Sequence, residues 1–389
     1  MIFNSPTDPV VAEMEFLTNK KILIASTQPW FSPLISKQFI ALELSKYCNE
    51  IVFASLYRIF KDRSYFRQFE KFQFHDIKPQ NVTLKVFKLP PGYLKSKVLC
   101  TLAKRIFSTS FDSNYQPDVI ISFSPVFYLL NDLFPTTLRI YYCADYLGNN
   151  ETMRLAEKKI LNNSDMVIAA SKQLYDDLRS SHPNVHYLPH GVNILSDNHD
   201  ERLKEQAAEW FNCTPQKPIF GFVGYISESL DFDLICYIAQ QNPGAIIALV
   251  GHHADGVKKK ISNLPSNVIC PGPIPTEGLK YCLQHFDVGI VPYVNSRYIL
   301  RTNPTKILQY ISCGLPVVTT EVGEDFSQNK FVYVAKSHME FNKLVQVAMA
   351  NDSSELFEER VRYGQENSWD ARVKSMDRLV DSCSDKYKS

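Results

Sequence analysis

Arg301-Thr-Asn-Pro-Thr-Lys306-Ile-Leu-Gln309-Tyr-Ile-Ser-Cys-Gly314-Leu-Pro316-Val-Val-Thr-Thr320 joins a helix start, a helix stop and a buried strand, with a cation on the helix's first turn. Asn303 is expected to cap the helix by accepting a backbone N–H, and Pro304 suits the first helical position, where no N–H is needed. Lys306 then falls where free N–H groups and the positive end of the helix dipole favour a phosphate. Gly314 is expected to end the helix in a left-handed conformation, and Pro316 lets Val317 to Thr320 leave as a strand. The stretch reads as an anion site feeding a sheet.

The same alternation recurs on both sides of it. Lys21-Ile-Leu-Ile-Ala-Ser26 is a short apolar run, followed by Pro29, Pro33 and a helical pattern at Ile35, Phe39 and Leu42, which makes a first strand–helix unit. Apolar runs at 51–55, 118–122, 139–143 and 166–170 continue this series, and a second series occupies 218–223, 245–250, 286–291 and 316–320. Strands alternating with helices predict the α/β class, with parallel sheets covered on both faces. At 389 residues and 45% hydrophobic, the chain exceeds the roughly 250 residues at which single cores stop growing, so two domains are expected.

These residues resemble glycosyltransferases of the two-Rossmann-domain (GT-B) type. Their C-terminal domain holds the nucleotide-sugar donor with a Pro-x-Lys-x-x-Glu-Tyr-x-x-x-Gly-x-Pro-Val-Val element, which Lys306, Tyr310, Gly314 and Pro316 to Val318 match. Tyr187-Leu-Pro-His190-Gly191-Val-Asn193 is similar to the short element that closes their first domain, with His190 where Asn is usual. The resemblance implies two Rossmann-like domains facing a cleft: an acceptor-side domain over 1–188 and a donor-binding domain over 189–366. A last helix over 367–389 would cross back to the first domain, and Trp369, Val373, Met376, Leu379 and Val380 recur there at helical spacing. Arg301 and Gln309 stand in the two places of the retaining members' Glu-x7-Glu pair, so an inverting transfer is expected. The Lys-x-x-Gln spacing and the basic first domain are similar to the membrane-associated glucuronosyltransferase of xanthan assembly, an inverting enzyme.

The resemblance also assigns roles. Gly224 and Gly251 end strands where backbone can approach a diphosphate with no side chain in the way. Tyr225 follows Gly224 where many members have Arg or Lys, so Lys306 is expected to draw on Arg297 or Arg301. Tyr293 lies past a strand end, where ligands of open α/β sheets collect. The donor-binding set is Gly224, Tyr225, Tyr293, Asn303, Lys306 and Gln309, the last keeping one acceptor toward the donor ribose. Asp145, just beyond the run 139–143, is the candidate base that takes the acceptor hydroxyl proton, with His190 and His75 as rivals. A strand-ending turn, a rim tyrosine and a capping aspartate are the bland readings of Gly224, Tyr293 and Asp145.

Charge and composition bound the partners. The net charge of +1 gives no global pull toward nucleic acid, but 58–106 holds twelve Lys or Arg against Asp62, Glu70 and Asp76, a local +9. Tyr65, Phe66, Phe69, Phe72, Phe74, Tyr93 and Leu94 interleave with these bases, which suggests an anionic membrane face. The nine cysteines form no Cys-x-x-Cys pair and read as reduced thiols. Residues 1–20 lack a signal-peptide layout, and no apolar run reaches the roughly 18 residues of a membrane span. A cytoplasmic enzyme, peripheral on the inner face of the membrane, is expected. It would need no metal and no cofactor beyond the nucleotide-diphosphate sugar as co-substrate, and it would act on a saccharide or lipid-linked acceptor. Gly251 to Lys258 falls short of a P-loop because Val257 takes the Lys place, and His252-His253 lacks further metal ligands. A catalytically silent donor-binding subunit and a nucleotide-sugar 2-epimerase are the alternative readings.

Overall fold

Short runs of β-branched and aliphatic residues such as Val119–Ser122 and Met166–Ala169 are buried on both faces, the pattern of parallel strands covered by helices. A computed structural model describes residues 14–30, 34–47, 50–58, 78–148, 150–195, 200–211 and 217–383. The first sheet comprises β1 (Lys21–Ser26), β2 (Glu50–Arg58), β3 (Val82–Leu89), β4 (Val119–Ser122), β5 (Leu138–Cys143), β6 (Met166–Ala169) and β7 (Val185–Tyr187). The second comprises β8 (Ile219–Val223), β9 (Ile246–Val250), β10 (Val268–Gly272), β11 (Val288–Val291), β12 (Val317–Thr320) and β13 (Val332–Ala335). Their orders are β3-β2-β1-β4-β5-β6-β7 and β10-β9-β8-β11-β12-β13. The β1–β4 and β8–β11 pairs are parallel. In each sheet the strand order reverses at that pair, and the crevice outside the carboxyl ends there is where such folds take ligands.

Among the described residues, those up to Tyr141 pack as one compact unit with Leu155–Met166 and the chain from Val373 onward. Tyr142–Arg154 and Val167–Arg372 make the other. In the first unit, the part of the helix Trp369–Cys383 beyond Arg372 is tied to the start of the described chain. The Asp377 carboxylate, 4% exposed, accepts the backbone N–H groups of Glu15, Phe16 and Leu17 at 3.0, 3.1 and 2.6 Å. In the second unit each face of the sheet has its own core, one around Phe286, Tyr310 and Ile311, the other around Phe222, Ile235 and Phe341.

The helix after β11 starts one residue later than its sequence suggests. It spans Thr305–Ser312, with Pro304 at the cap position and no side-chain cap bond. Pro304 has a helix-like φ of −68° but an extended ψ of 104°, so the first helical turn closes only beyond it. The expected Asn303 cap is thereby overturned: its Oδ1 is buried without a hydrogen-bond partner among the described residues. The other end is as expected. Gly314 has φ +81°, its N–H bonds the Ile311 carbonyl at 2.9 Å, and the Leu315 N–H reaches back to Tyr310 at 3.0 Å.

Candidate active site

At the switch point of the second sheet, β8 runs out into Gly224, whose N–H donates to the Val250 carbonyl at 2.9 Å. Gly224 and Gly251 both adopt positive φ, +149° and +147°. A Cβ on Gly251 would run into the Gly224 carbonyl, so backbone crowding alone accounts for that glycine. A Cβ on Gly224 would sit 3.0 Å from Lys306 Nζ. The open backbone at the end of β8 is therefore the floor on which the lysine lies.

Lys306 is the second residue of its helix and reaches across to the end of β11. Its ammonium contacts the Tyr293 hydroxyl and stands 4.5 Å from the Phe222 ring centroid and 4.8 Å from that of Tyr293. No carboxylate of the described residues pairs with it, so aromatic faces and a phenol support a charge left free to meet an anion. Tyr293 is fixed in turn: its N–H donates to Thr320 Oγ1 at 3.1 Å, and that hydroxyl donates back to the Tyr293 carbonyl at 2.8 Å. First-turn amides, which have no partners inside the helix, add positive potential beside Lys306.

The other sequence candidates lie around this cradle in different ways. Tyr225 is 60% exposed beside Gly224. Asn303, 5% exposed, brings its orphaned oxygen to the residue pair just before the helix. Gln309 turns its amide back along its own helix, to Ser312 Oγ at 3.2 Å and Cys313 Sγ at 3.9 Å. Arg297 is exposed. Arg301 does not assist Lys306: its guanidinium pairs with Asp177 at 2.8 Å and lies 4.9 Å from the Tyr146 ring.

Asp145 is exposed two residues beyond β5, in the segment that packs with the second unit. Its charge acts on Tyr298, whose pKa is raised first by burial and then by Asp145 and Tyr293. His190 is instead a packing residue, 8% exposed, parallel to the Tyr142 ring at 6.3 Å and 5.9 Å from Trp369. His75 lies outside the described residues. Exposed His252 and His253 join no group of three potential metal ligands among the described residues.

Sequence reasoning missed Phe222 as a face for Lys306 and a polar cluster built around Asp325. The Asp325 carboxylate accepts the Tyr187 hydroxyl and the Lys172 N–H, the latter at 3.2 Å, while its Oδ2 is buried without a partner. Burial raises its pKa. An acid in the polar run after β12 gives no sequence signal of such burial.

Comparison with known proteins fits this geometry. Residues 217–351 match the family model "Glycosyl transferases group 1". The chain is 25% identical to the "Putative teichuronic acid biosynthesis glycosyltransferase TuaH" of Bacillus subtilis (strain 168), over 61% of this chain and 65% of that relative's length. Anabaena Alr3699/HepE in complex with UDP-glucose superposes with a TM-score of 0.67 at 13% identity, over 93% of this chain and 99% of its own. An E. coli structure described as trehalose-6-phosphate bound with UDP-2-fluoro glucose gives 0.66 at 9% identity, over 94% and 99%. At such identities these two are likenesses of fold. Residues 217–351 are thus similar to group 1 glycosyl transferases, and the chain shares the two-domain GT-B fold of these structures.

Proposed function

We propose that the protein moves a sugar from a nucleotide-diphosphate sugar to a saccharide or lipid-linked acceptor in surface polysaccharide or glycoconjugate assembly, with inversion and without a metal. The observation that carries this is Lys306: an ammonium at a helix start, over a bare glycine backbone, at the sheet's switch point. The UDP and UDP-glucose held by the similar Anabaena protein support a nucleotide sugar as co-substrate. The relative named for teichuronic acid biosynthesis supports a saccharide product.

In this reading the acceptor oxygen bonds to the anomeric carbon as the bond from that carbon to the diphosphate oxygen breaks. Asp145 takes the acceptor's proton. The leaving diphosphate gathers charge, and Lys306 with the helix start neutralises it, the role a divalent ion fills elsewhere. Gly224 and Tyr225 border the phosphates, Tyr293 holds the lysine, and Asn303 and Gln309 offer acceptors toward the donor. The exposed face of the helix Lys97–Ser110, with Val98 77% and Leu102 45% exposed among Lys95, Lys97, Lys104 and Arg105, would rest on anionic lipid at the inner membrane face. No helix among the described residues is long and apolar enough to cross a membrane.

Titration with UDP, GDP and their sugars is the direct test. Lys306→Ala should weaken nucleotide-diphosphate binding roughly ten- to a hundredfold, since hydrogen bonds to charged groups contribute about 1.5–3 kcal/mol, with the fold intact. Unchanged affinity would sink the donor site. Binding without turnover on any acceptor would favour the silent donor-binding subunit.

A further inference from the structure

The loop leaving β11 is held at several points. Besides the Tyr293–Thr320 pair, the Val294 N–H donates to the Ser229 carbonyl at 2.9 Å, and Asn295 donates to Glu321 at 3.3 Å. Ile299, 4% exposed, plugs into the core. On this fixed loop Tyr298 keeps 50% of its surface open. The Arg301 N–H bonds the Tyr298 carbonyl at 3.0 Å, and the Arg301 guanidinium lies 4.9 Å from the Tyr146 ring. The loop therefore faces the segment that carries Asp145. Both Asp145 and Tyr293 act electrostatically on the Tyr298 hydroxyl. The Tyr298 hydroxyl thus lies within electrostatic reach of both the candidate base and the phenol that contacts Lys306.

We propose that Tyr298 is a specificity-determining residue that contacts the transferred sugar, its ring against a C–H face of the pyranose and its hydroxyl bonded to a sugar hydroxyl. The proposal rests on the donor reading above. With the diphosphate on Lys306 and the acceptor hydroxyl at Asp145, the anomeric carbon lies between them. The sugar ring then fills the space that Tyr298 borders. A half-exposed aromatic on a rigid loop offers it a flat apolar face at little entropic cost.

The test is calorimetric affinity of the wild type, Tyr298→Phe and Tyr298→Ala for UDP, GDP, UDP-glucose, UDP-galactose, UDP-glucuronate and GDP-mannose. UDP or GDP alone should bind all three proteins equally. The tightening that the matching sugar adds should fall roughly three- to tenfold in Tyr298→Ala and be kept in larger part by Tyr298→Phe. A sugar gain that survives in Tyr298→Ala, or no gain from any sugar in the wild type, overturns the assignment. So does a parallel loss of UDP and GDP affinity in Tyr298→Ala, which would mark a displaced loop. A wild type that binds neither UDP nor GDP removes the donor reading itself, and this assignment with it.

Discussion

The Tyr310 hydroxyl accepts the backbone N–H of Val223 at 2.7 Å, tying the helix that carries Lys306 to the strand that ends at Gly224. Tyr310 is 1% exposed, and Gly289 on β11 makes room for it, since a Cβ there would press on the ring at 2.8 Å from Cγ. A motif tyrosine thus works from inside the core. It fixes how far the lysine stands from the bare backbone on which it lies.

Tyr310→Phe keeps the ring and leaves the Val223 N–H unpaired. Losing one partner of a buried bond costs about 1–3 kcal/mol, so the urea midpoint should fall at unchanged slope. UDP affinity should fall with it as Gly224 loses its register against Lys306. A variant as stable as the wild type would show that the tie contributes nothing.

Asp325 gives the protein a pH signature. Burial raises its pKa in the fold above the ordinary 3.8, so folding disfavours the ionised carboxylate relative to the unfolded chain. Its contribution to stability is full below the unfolded pKa and is lost as pH rises through the folded value. Asp325→Asn can still accept from Tyr187 and Lys172, and it removes the buried charge. The variant should match the wild type near pH 3.5 and melt higher near pH 7, by thermal unfolding across that range. Parallel melting curves at all pH values would refute the account.

Legibility followed the physics of each element. Runs such as Ile22 to Ala25 and Val288 to Val291 are buried on both faces and read as strands at once. β3 (Val82–Leu89) did not, because it is an edge strand whose Thr83, Val86 and Lys88 face solvent. Gly314 was legible because a left-handed helix end nearly demands glycine. The Asn303 cap was misread because Pro304 took an extended ψ that sequence preference does not decide. Lys306 was found through its helix start, whereas its contacts with Phe222 on β8 and with Tyr293 just past the end of β11 depend on the sheet order that sets those two strands side by side.

Asp145→Asn keeps size and hydrogen bonding but cannot take a proton. Transfer should fall roughly a hundredfold or more while UDP affinity stays, because the diphosphate cradle lies on other residues. NMR of the wild-type product should show inversion at the anomeric carbon. Retained configuration, or near-normal turnover by Asp145→Asn, would return Asp145 to an exposed residue at a strand end.

Membrane attachment is expected to rest on the exposed face of Lys97–Ser110 as well as on bases and aromatics at 59–77, which lie outside the described residues. Val98 and Leu102 are one helical turn apart, on the same side as Arg105. A nearby Lys or Arg gains about 1 kcal/mol from anionic lipid, and that gain is screened by salt. The protein should sediment with vesicles containing phosphatidylglycerol at low salt, release at high salt and ignore neutral vesicles. Val98→Asp with Leu102→Asp should weaken this binding and leave UDP affinity unchanged, since neither residue belongs to the Lys306 cradle. Equal binding to neutral and anionic vesicles would remove the electrostatic account, and no binding to either would remove the membrane.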